Sequence, residues 1–188
     1  DFCLSRGLGD VYKRQEADFL VAGIGLDAAT ELALSAGLTL DNGIAVDDFG
    51  RTSDPAIWAA GDCASFPLAG VRIRLESVQN AIDQAERVAE NMLGAAKPYV
   101  PVPWFWSDQY DVKLQIAGLS SGHDQVLVRG AGETAQSHWY WRRGQFIAVD
   151  AMNDARGYMV GKRLLEAGRN PDPAVIADPS ADLKALLR

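Results

Sequence analysis

Cysteine and histidine are scarce in this chain of 188 residues, which has only two of each. Cys3 and Cys63 do not make a disulfide framework, and the sequence has no Cys/His cluster with the spacing of metal ligands. We therefore predict neither a disulfide scaffold nor a metal site, and a reducing, cytoplasmic setting is expected. His123 and His138 fall in a predicted loop and a predicted strand, where surface or packing roles are expected.

The chain also lacks an excess of basic residues and a long apolar run. Its 18 Lys and Arg against 25 Asp and Glu give a net charge of −7. This balance argues against a nucleic-acid or anionic-membrane partner. The apolar runs fall short of the roughly 20 residues that a membrane-spanning helix needs. The composition is ordinary for a globular protein with one good core or two small ones.

A complete dinucleotide-binding fingerprint is missing as well. Residues 18–26 predict a buried strand that ends in Gly-Ile-Gly, but two alanines follow Asp27, so G-x-G-x-x-G is not met. A helix is predicted next, over residues 27–37, with inward positions at Leu32, Ala33 and Ala36. A short strand is predicted over residues 43–47, followed by a turn at 49–51.

The stretch Thr52 to Met92 carries the strongest local pattern and begins T-S-D-P-A-I-W-A-A-G-D. Residues 57–60 predict a buried strand that stops at Gly61-Asp62, at the strand end where open α/β sheets bind ligands. Gly61 allows close approach of a ligand or backbone, and Asp62 can accept hydrogen bonds from ligand hydroxyls. Read alone, Gly-Asp is also compatible with a simple turn.

A predicted strand over residues 71–75 and a long helix follow this motif. Apolar residues recur at helical spacing from Val78 to Leu93, Ser77 is a suitable N-cap, and Gly94 ends the run. The start of such a helix offers free backbone N–H groups and a partial positive charge, which suit an anion or an electron-rich ring edge. The combination favours a ligand pocket over a turn.

The second half of the chain begins after a linker at residues 97–103, whose three prolines disfavour helix and strand. Strands are predicted over 112–119, 125–129, 137–142 and 145–152, with a hairpin turn at Arg143-Gly144. A helix over 154–167 and a terminal helix over 180–187 follow. The aromatic residues at 104–106 are compatible with either a core role or a cofactor wall.

Three motifs in this order resemble the FAD- and pyridine-nucleotide-dependent ferredoxin reductases of oxygenase and cytochrome P450 systems. They are T-S-D-P-A-I-W-A-A-G-D-C-A, R-L-E-S-V-Q-N-A-I-D-Q-A and F-W-S-D-Q-Y, and the likeness covers about Ala17 to the C-terminus. The resemblance implies an α/β plus α+β fold: the C-terminal part of the FAD/NAD(P)-binding two-dinucleotide-domain fold, then a small α+β domain. Residues 16–97 would end the NAD-binding domain and complete the FAD-binding domain, and residues 104–188 would form the reductase C-terminal domain.

The resemblance also implies the roles of individual residues. Gly61 and Asp62 would lie at FAD, with Asp62 on the ribityl hydroxyls, and Ser77 and Val78 would direct backbone N–H groups at the flavin pyrimidine edge. Four further residues are expected on the nicotinamide side of the flavin or close to it: Glu76, Trp106, Gln115 and Gly25. Hydride transfer requires no acid–base residue, so no catalytic side chain is predicted.

The function implied is electron transfer from NAD(P)H through FAD to a 2Fe-2S ferredoxin that serves an oxygenase or P450. Alternatives are a rubredoxin or nitrite reductase component, an apoptosis-inducing-factor-like flavoprotein, or a non-enzymatic packing module. Because such reductases carry two dinucleotide fingerprints upstream, we expect the chain to be the C-terminal half of a longer protein and to be inactive alone. Residues 1–15 resemble adapter-derived sequence, and we expect them to be non-native or disordered.

Overall fold

The computed structural model describes residues 18–130 and 134–188, and the predictions for residues 1–15, with Cys3, lie outside them. Two sheets and their flanking helices make up the described fold. The helices are α1 (Glu31–Ser35), α2 (Val78–Met92), α3 (Ala155–Glu166), α4 (Pro173–Ala177) and a final 3-10 helix (Leu183–Leu187). The strands are β1 (Ile44–Ala45), β2 (Ala64–Leu68), β3 (Val71–Ile73), β4 (Trp104–Gln109), β5 (Val112–Gly118), β6 (Gln125–Arg129), β7 (Gln136–Arg142) and β8 (Gln145–Met152).

The first sheet has three short strands in the order β1-β2-β3. β1 runs parallel to β2, and β3 runs antiparallel to it. A small apolar cluster under this sheet contains Val46, Ala64, Phe66 and Tyr99. The Tyr99 ring meets Phe66 edge-on, with the ring centroids 5.4 Å apart. Tyr99 belongs to the proline-rich connection, so this contact anchors the connection to the first sheet.

Helix α2 buries polar side chains as well as apolar ones. Asn80, Gln84, Val88 and Asn91 are buried and recur at helical spacing. Asn91 donates to the carbonyls of Phe49 and Lys97 at 2.9 Å and accepts from the Lys97 N–H at 2.8 Å. The buried amides thus bind backbone groups of the neighbouring loops, which satisfies polar groups that burial would otherwise leave unpaired. Other apolar side chains of α2, such as Val78, Ile82 and Met92, are largely exposed.

The second sheet is antiparallel, with the order β4-β5-β8-β7-β6. Its core includes the fully buried Trp139 and Trp141 and is covered by Val160 and Leu164 of α3. The β7–β8 hairpin turns at Arg143 (φ 51°) and Gly144 (φ 75°). Positive φ at both central residues is what a tight type I′ hairpin turn requires. The antiparallel sheet and this turn are therefore as the sequence predicted.

Two strands predicted from the sequence are absent. Residues 18–26 form no strand and pair with no strand of the described chain, and their apolar side chains are exposed. A strand is stable only when a neighbour satisfies its backbone groups, and the alternation in sequence does not supply one. Residues 57–60 instead fold back on a turn, since the Ala59 N–H donates to the Gly50 carbonyl at 3.1 Å. The first prediction is wrong for lack of a partner, and the second because residues 57–60 pair with residues 50–52 only through an isolated bridge at Trp58.

Other elements differ in extent. The helix predicted over residues 27–37 is only the five residues of α1, in which Ala33 is buried but Leu32 is 87% exposed. Strand β4, which contains the aromatic residues 104–106, was not predicted. The C-terminal helix predicted over 180–187 is a short 3-10 helix, preceded by α4. Within the described residues, none of the helices combines the length and apolarity needed to cross a bilayer.

Candidate functional site

The start of α2 has the geometry of a capped helix N-terminus. Ser77 has an extended backbone, and its Oγ accepts from the Asn80 N–H at 3.2 Å. The first N–H groups of a helix have no acceptor inside the helix, so those of Val78 and Gln79 point outward. Val78 is 62% exposed. The helix start can therefore present backbone donors and a positive dipole end to an electron-rich group.

The Gly61-Asp62 loop is attached directly to α2. The buried Gln84 accepts a hydrogen bond from the Gly61 N–H at 2.8 Å. Gly61 has φ 81°, and a Cβ there would lie 3.5 Å from the Cβ of Ala81. The positive φ favours glycine and lets the loop lie close to the helix. Asp62 itself is exposed, so its carboxylate can accept hydrogen bonds from a ligand.

Arg74 joins this loop to the helix start. Its Nη1 donates to the Asp62 carbonyl at 3.1 Å and lies 2.6 Å from a carboxylate oxygen of Glu76. Its Nη2 makes a long hydrogen bond, 3.4 Å, to the Leu26 carbonyl. The Arg74 side chain is only 9% exposed. A planar guanidinium can reach several acceptors at once, and here it holds three chain segments together.

A cavity of about 160 Å³ lies between the start of α2 and strands β4 and β5. Its polar lining comes mainly from α2 and the turn before it, and its apolar lining from the proline-rich connection and the second sheet. The lining includes Glu76, Ser77, Asn80, Asp83, Phe105 and Ile116. Tyr99 also borders this space and donates through its hydroxyl to the Asn80 side chain at 3.0 Å. Burial, with the nearby Asp83 carboxylate, raises the pKa of Tyr99 to about 12, which keeps it a hydrogen-bond donor at neutral pH.

Trp106 and Gln115 lie directly opposite each other on β4 and β5. Paired residues of neighbouring strands share a face, and successive residues alternate faces. Trp106 therefore shares a face of β4 with Trp104 and not with Phe105. Trp104 and Phe105 both line the cavity, whereas Trp106 and Gln115 do not. Trp106 is 38% exposed and its ring lies 5.6 Å from that of Trp104.

The eight residues singled out from the sequence fall into three groups in the structure. Gly61, Asp62, Glu76, Ser77 and Val78 lie around Arg74 and the start of α2. Trp106 and Gln115 form a pair at the edge of the second sheet. Gly25 has φ 105° and lies in the exposed segment 18–26, which the Leu26 carbonyl ties to Arg74.

Sequence reasoning missed the side chains that position this region: Arg74, Gln84, Asn80 and Tyr99. Asn80, Gln84 and Asn91 recur at helical spacing, which is compatible with a buried polar stripe. The same pattern is ordinary for a solvated helix face, so it did not indicate burial. Arg74 was not singled out, because two of its three partners, the Asp62 and Leu26 carbonyls, come from other segments of the chain.

Comparison with known proteins defines the class first. Residues 7–85 match the family model described as pyridine nucleotide-disulphide oxidoreductase, and residues 104–187 match the one described as reductase C-terminal. The first match overlaps part of residues 1–15, whose non-native origin stays a prediction. The division into domains at residues 97–104, which was proposed from the sequence, likewise stays a prediction.

Individual similar proteins indicate the kind of oxidoreductase more closely. The ferredoxin–NAD(P)+ reductase of a Sphingomonas species is 46% identical over 91% of this chain and 42% of its own length. Rhodocoxin reductase of Rhodococcus erythropolis is 42% identical over 95% of this chain and 42% of its own length. A solved ferredoxin reductase of Rhodopseudomonas palustris, at 45% identity, gives a TM-score of 0.83 over 87% of this chain and 41% of that chain.

The chain thus matches both family models, and the relatives that it resembles are ferredoxin–NAD(P)+ reductases. The fold class predicted from the sequence is confirmed by these likenesses. The chain spans about 42% of the length of the curated relatives it matches. The activity, cofactors and partners of a whole reductase are therefore taken up as proposals.

Proposed function

We propose that the chain is part of a longer cytoplasmic flavoprotein that passes electrons from NAD(P)H through FAD to a 2Fe-2S ferredoxin, which serves an oxygenase or P450. One observation carries the proposal. The Gly61-Asp62 loop is attached through Gln84 to α2, so that an exposed carboxylate lies beside the capped helix start. The likeness to ferredoxin reductases over both matched ranges supports the same function.

The residues at this site fit the chemistry of FAD. The exposed Asp62 carboxylate can accept from ribityl hydroxyls, and the N–H groups at the start of α2 can donate to the flavin pyrimidine edge. Donors at that edge favour a ring that gains negative charge on reduction. When bound, the flavin accepts a hydride from the nicotinamide and supplies electrons one at a time.

The remaining predicted residues are proposed to act on the nicotinamide side. Glu76 lies one residue before the helix cap, and its carboxylate is fixed by Arg74. Trp106 and Gln115 would border the same ligand from the edge of the second sheet, and Gly25 from the segment tied to Arg74. These residues position and shield the reacting rings. We propose further that residues 16–97 complete the dinucleotide-binding domains and that residues 104–188 form the C-terminal domain.

A hybrid reductase tests this function. Residues 16–188 replace the matching part of the Sphingomonas ferredoxin–NAD(P)+ reductase, which is 46% identical to the chain. We expect a yellow protein with flavin absorbance that reduces cytochrome c in the presence of NADH and a 2Fe-2S ferredoxin. A folded hybrid without flavin, or one that holds flavin but passes no electrons to the ferredoxin, would contradict the proposal.

The role of Asp62 is tested in the same hybrid by Asp62→Ala. A hydrogen bond to a charged group contributes about 1.5–3 kcal/mol, so FAD retention should weaken roughly tenfold to a hundredfold. Asp48→Ala, which removes another exposed carboxylate of the same domain, is the matched control and should keep its flavin. Retention is measured by gel filtration and by dilution. If the two variants retain flavin equally, Asp62 is only a turn residue.

A further inference from the structure

Arg74 contacts each segment of the proposed flavin and nicotinamide site that lies in the first half of the chain. Its guanidinium binds the carbonyl of Asp62, the carboxylate of Glu76 and, by a longer bond, the carbonyl of Leu26. Leu26 and Glu76, the two acceptors farthest apart in sequence, are separated by 50 positions. One buried cation therefore fixes the relative positions of loop, helix start and N-terminal segment.

The neighbouring Arg72 also donates hydrogen bonds to carbonyls, but it binds a different part of the fold. Its Nη1 donates to the carbonyls of Val46 and Ser65, at 3.1 and 2.5 Å, and its Nε lies 3.5 Å from the Asp41 carboxylate. These partners belong to the first sheet and its loops, and none is a predicted site residue. Arg72 lies in β3, and Arg74 follows one residue after the strand ends. Arg72 is therefore a matched structural counterpart of Arg74.

We infer that Arg74 is a positioning residue of the flavin site: its guanidinium sets where the Asp62 loop and the Glu76 carboxylate stand relative to the start of α2. The inference rests on the proposed function. Arg74 acts through Asp62 and Glu76, which would touch the ligands themselves. Small displacements of positioning groups are sufficient to slow a reaction by orders of magnitude, so the consequence is functional as well as structural.

The planar guanidinium is central to this role. A lysine at position 74 would keep a positive charge beside Glu76, but its single nitrogen cannot span the Asp62, Glu76 and Leu26 acceptors together. Arg74→Lys should thus recover stability, because the charge pair remains. It should not recover the arrangement of the loop and the helix start.

The test compares Arg74→Met, Arg74→Lys and Arg72→Met in the hybrid reductase. For Arg74→Met we expect flavin retention weakened about tenfold or more and a KM for NADH raised by a similar factor, the scale of lost charged hydrogen bonds, with kcat changed less. Arg74→Lys should melt close to the unsubstituted hybrid yet keep the raised KM. Arg72→Met should lower the melting temperature without changing KM.

A second measurement uses the 188-residue chain without a cofactor. Denaturant unfolding of Arg74→Met, Glu76→Gln and the double variant forms a double-mutant cycle. We expect the double variant to be more stable than the two single losses together predict, because Glu76→Gln removes the carboxylate that Arg74→Met leaves unpaired. The double variant also keeps the test usable if Arg74→Met alone fails to fold, since its KM can then be compared with that of Glu76→Gln, which lacks the same carboxylate.

The outcomes separate the inference from the function on which it rests. A hybrid without substitutions that binds no flavin removes the proposed function and this inference with it. A working hybrid in which Arg74→Met and Arg72→Met have the same KM and flavin retention overturns the inference alone. Full recovery of KM by Arg74→Lys would also overturn it, since charge without the planar geometry would then be sufficient.

Discussion

At the scale of single residues, Gln84 shows how a polar side chain can determine the shape of a ligand loop. It is 1% exposed and accepts the Gly61 N–H at 2.8 Å. Gln84→Leu would leave that N–H without its acceptor, and an unsatisfied buried donor costs about 1–3 kcal/mol. We expect a loss of this size in the free energy of unfolding, measured with urea on the 188-residue chain.

The control for Gln84 is Glu86→Ala, an exposed position on the same helix. Surface substitutions away from special features change stability by about 0.5 kcal/mol or less. If the Glu86 and Gln84 variants lose the same free energy, the hydrogen bond to Gly61 does not hold the loop.

Asp150 supplies a prediction that depends on pH. It accepts from the Tyr140 hydroxyl at 2.9 Å, and burial raises the pKa of its carboxyl although this hydrogen bond and His138 oppose the shift. The folded chain therefore binds the Asp150 proton more tightly than the unfolded chain. Stability should fall as pH rises from the ordinary carboxyl pKa through the raised one, because unfolding releases the Asp150 proton in this range and a higher pH favours that release.

Asp150→Asn removes this ionisation and should abolish its contribution to the fall in stability with rising pH. The amide oxygen can still accept from Tyr140, whose own pKa is raised to about 12, so the hydroxyl stays protonated across the range. The measurement is the free energy of unfolding at a series of pH values, with the exposed Asp111→Asn as control. Parallel curves for the Asp150 variant and the unsubstituted chain would contradict the prediction.

At the scale of elements, the sequence predicted the second sheet better than the first. Strands β6 and β8 have the predicted bounds, and the Arg143-Gly144 turn lies where expected. Hairpins are local, so alternation and turn residues suffice to specify them. The predicted strands at 18–26 and 57–60 were wrong: the first has no partner in the described chain, and the second makes only an isolated bridge to the nearby Arg51.

The same distinction applies to the candidate site. The N-cap at Ser77 and the helix that follows it were visible in the sequence, since capping depends on neighbouring residues. The roles of Arg74 and Gln84 were not, because the backbone groups that they bind, those of Leu26, Gly61 and Asp62, come from other segments. Alternation along a strand could have indicated that Trp106 and Phe105 face opposite ways, but β4 was not recognised as a strand.

One arginine makes several of the contacts that hold the C-terminal elements. Arg129 at the end of β6 donates to five carbonyls of the segment around α4: those of Val175, Ile176, Asp178, Pro179 and Ala181. Carbonyls at the end of a helix lack intrahelical donors, so the guanidinium satisfies them. Arg129 thus attaches the last fifteen or so residues to the sheet, on the order of four helical turns of chain.

Arg129→Met should release this segment. We expect a loss of about 2–4 kcal/mol in the free energy of unfolding, since several charged hydrogen bonds disappear together. Limited proteolysis should become faster between residues 177 and 183. Arg163→Met, at an exposed position on α3, is the control. Unchanged proteolysis in the Arg129 variant would show that core packing and Arg169, which donates to the Leu186 and Arg188 carbonyls, suffice to hold the C-terminus.

At the scale of the whole molecule, the described chain exposes much apolar surface. It includes residues of the segment 18–26 and residues of α2, namely Phe19, Val21, Ile24, Val78, Ile82 and Met92. Contiguous exposed apolar surface marks an interaction site more often than a free face. The relatives are more than twice as long as this chain, which agrees with additional polypeptide covering these faces in a whole reductase.

This exposure bears on cofactor binding by the chain alone. A ligand site normally buries most of its ligand, about 70–90% of the surface. Asp62 is exposed and Val78 is 62% exposed, so the proposed flavin site is an open surface in the described chain. The contacts available to FAD are then a few hydrogen bonds at the start of α2 and on Asp62.

We therefore expect purified residues 16–188 to bind FAD poorly and to lack NADH-dependent electron transfer, whereas the hybrid reductase has both. The measurement is a visible spectrum after gel filtration with excess FAD, together with a circular dichroism melt that verifies the fold. The hybrid, loaded in the same way, is the positive control. A folded chain of residues 16–188 that emerges yellow, with flavin in a one-to-one ratio, would show that it holds the cofactor without further polypeptide, because its own loop and helix start would then suffice.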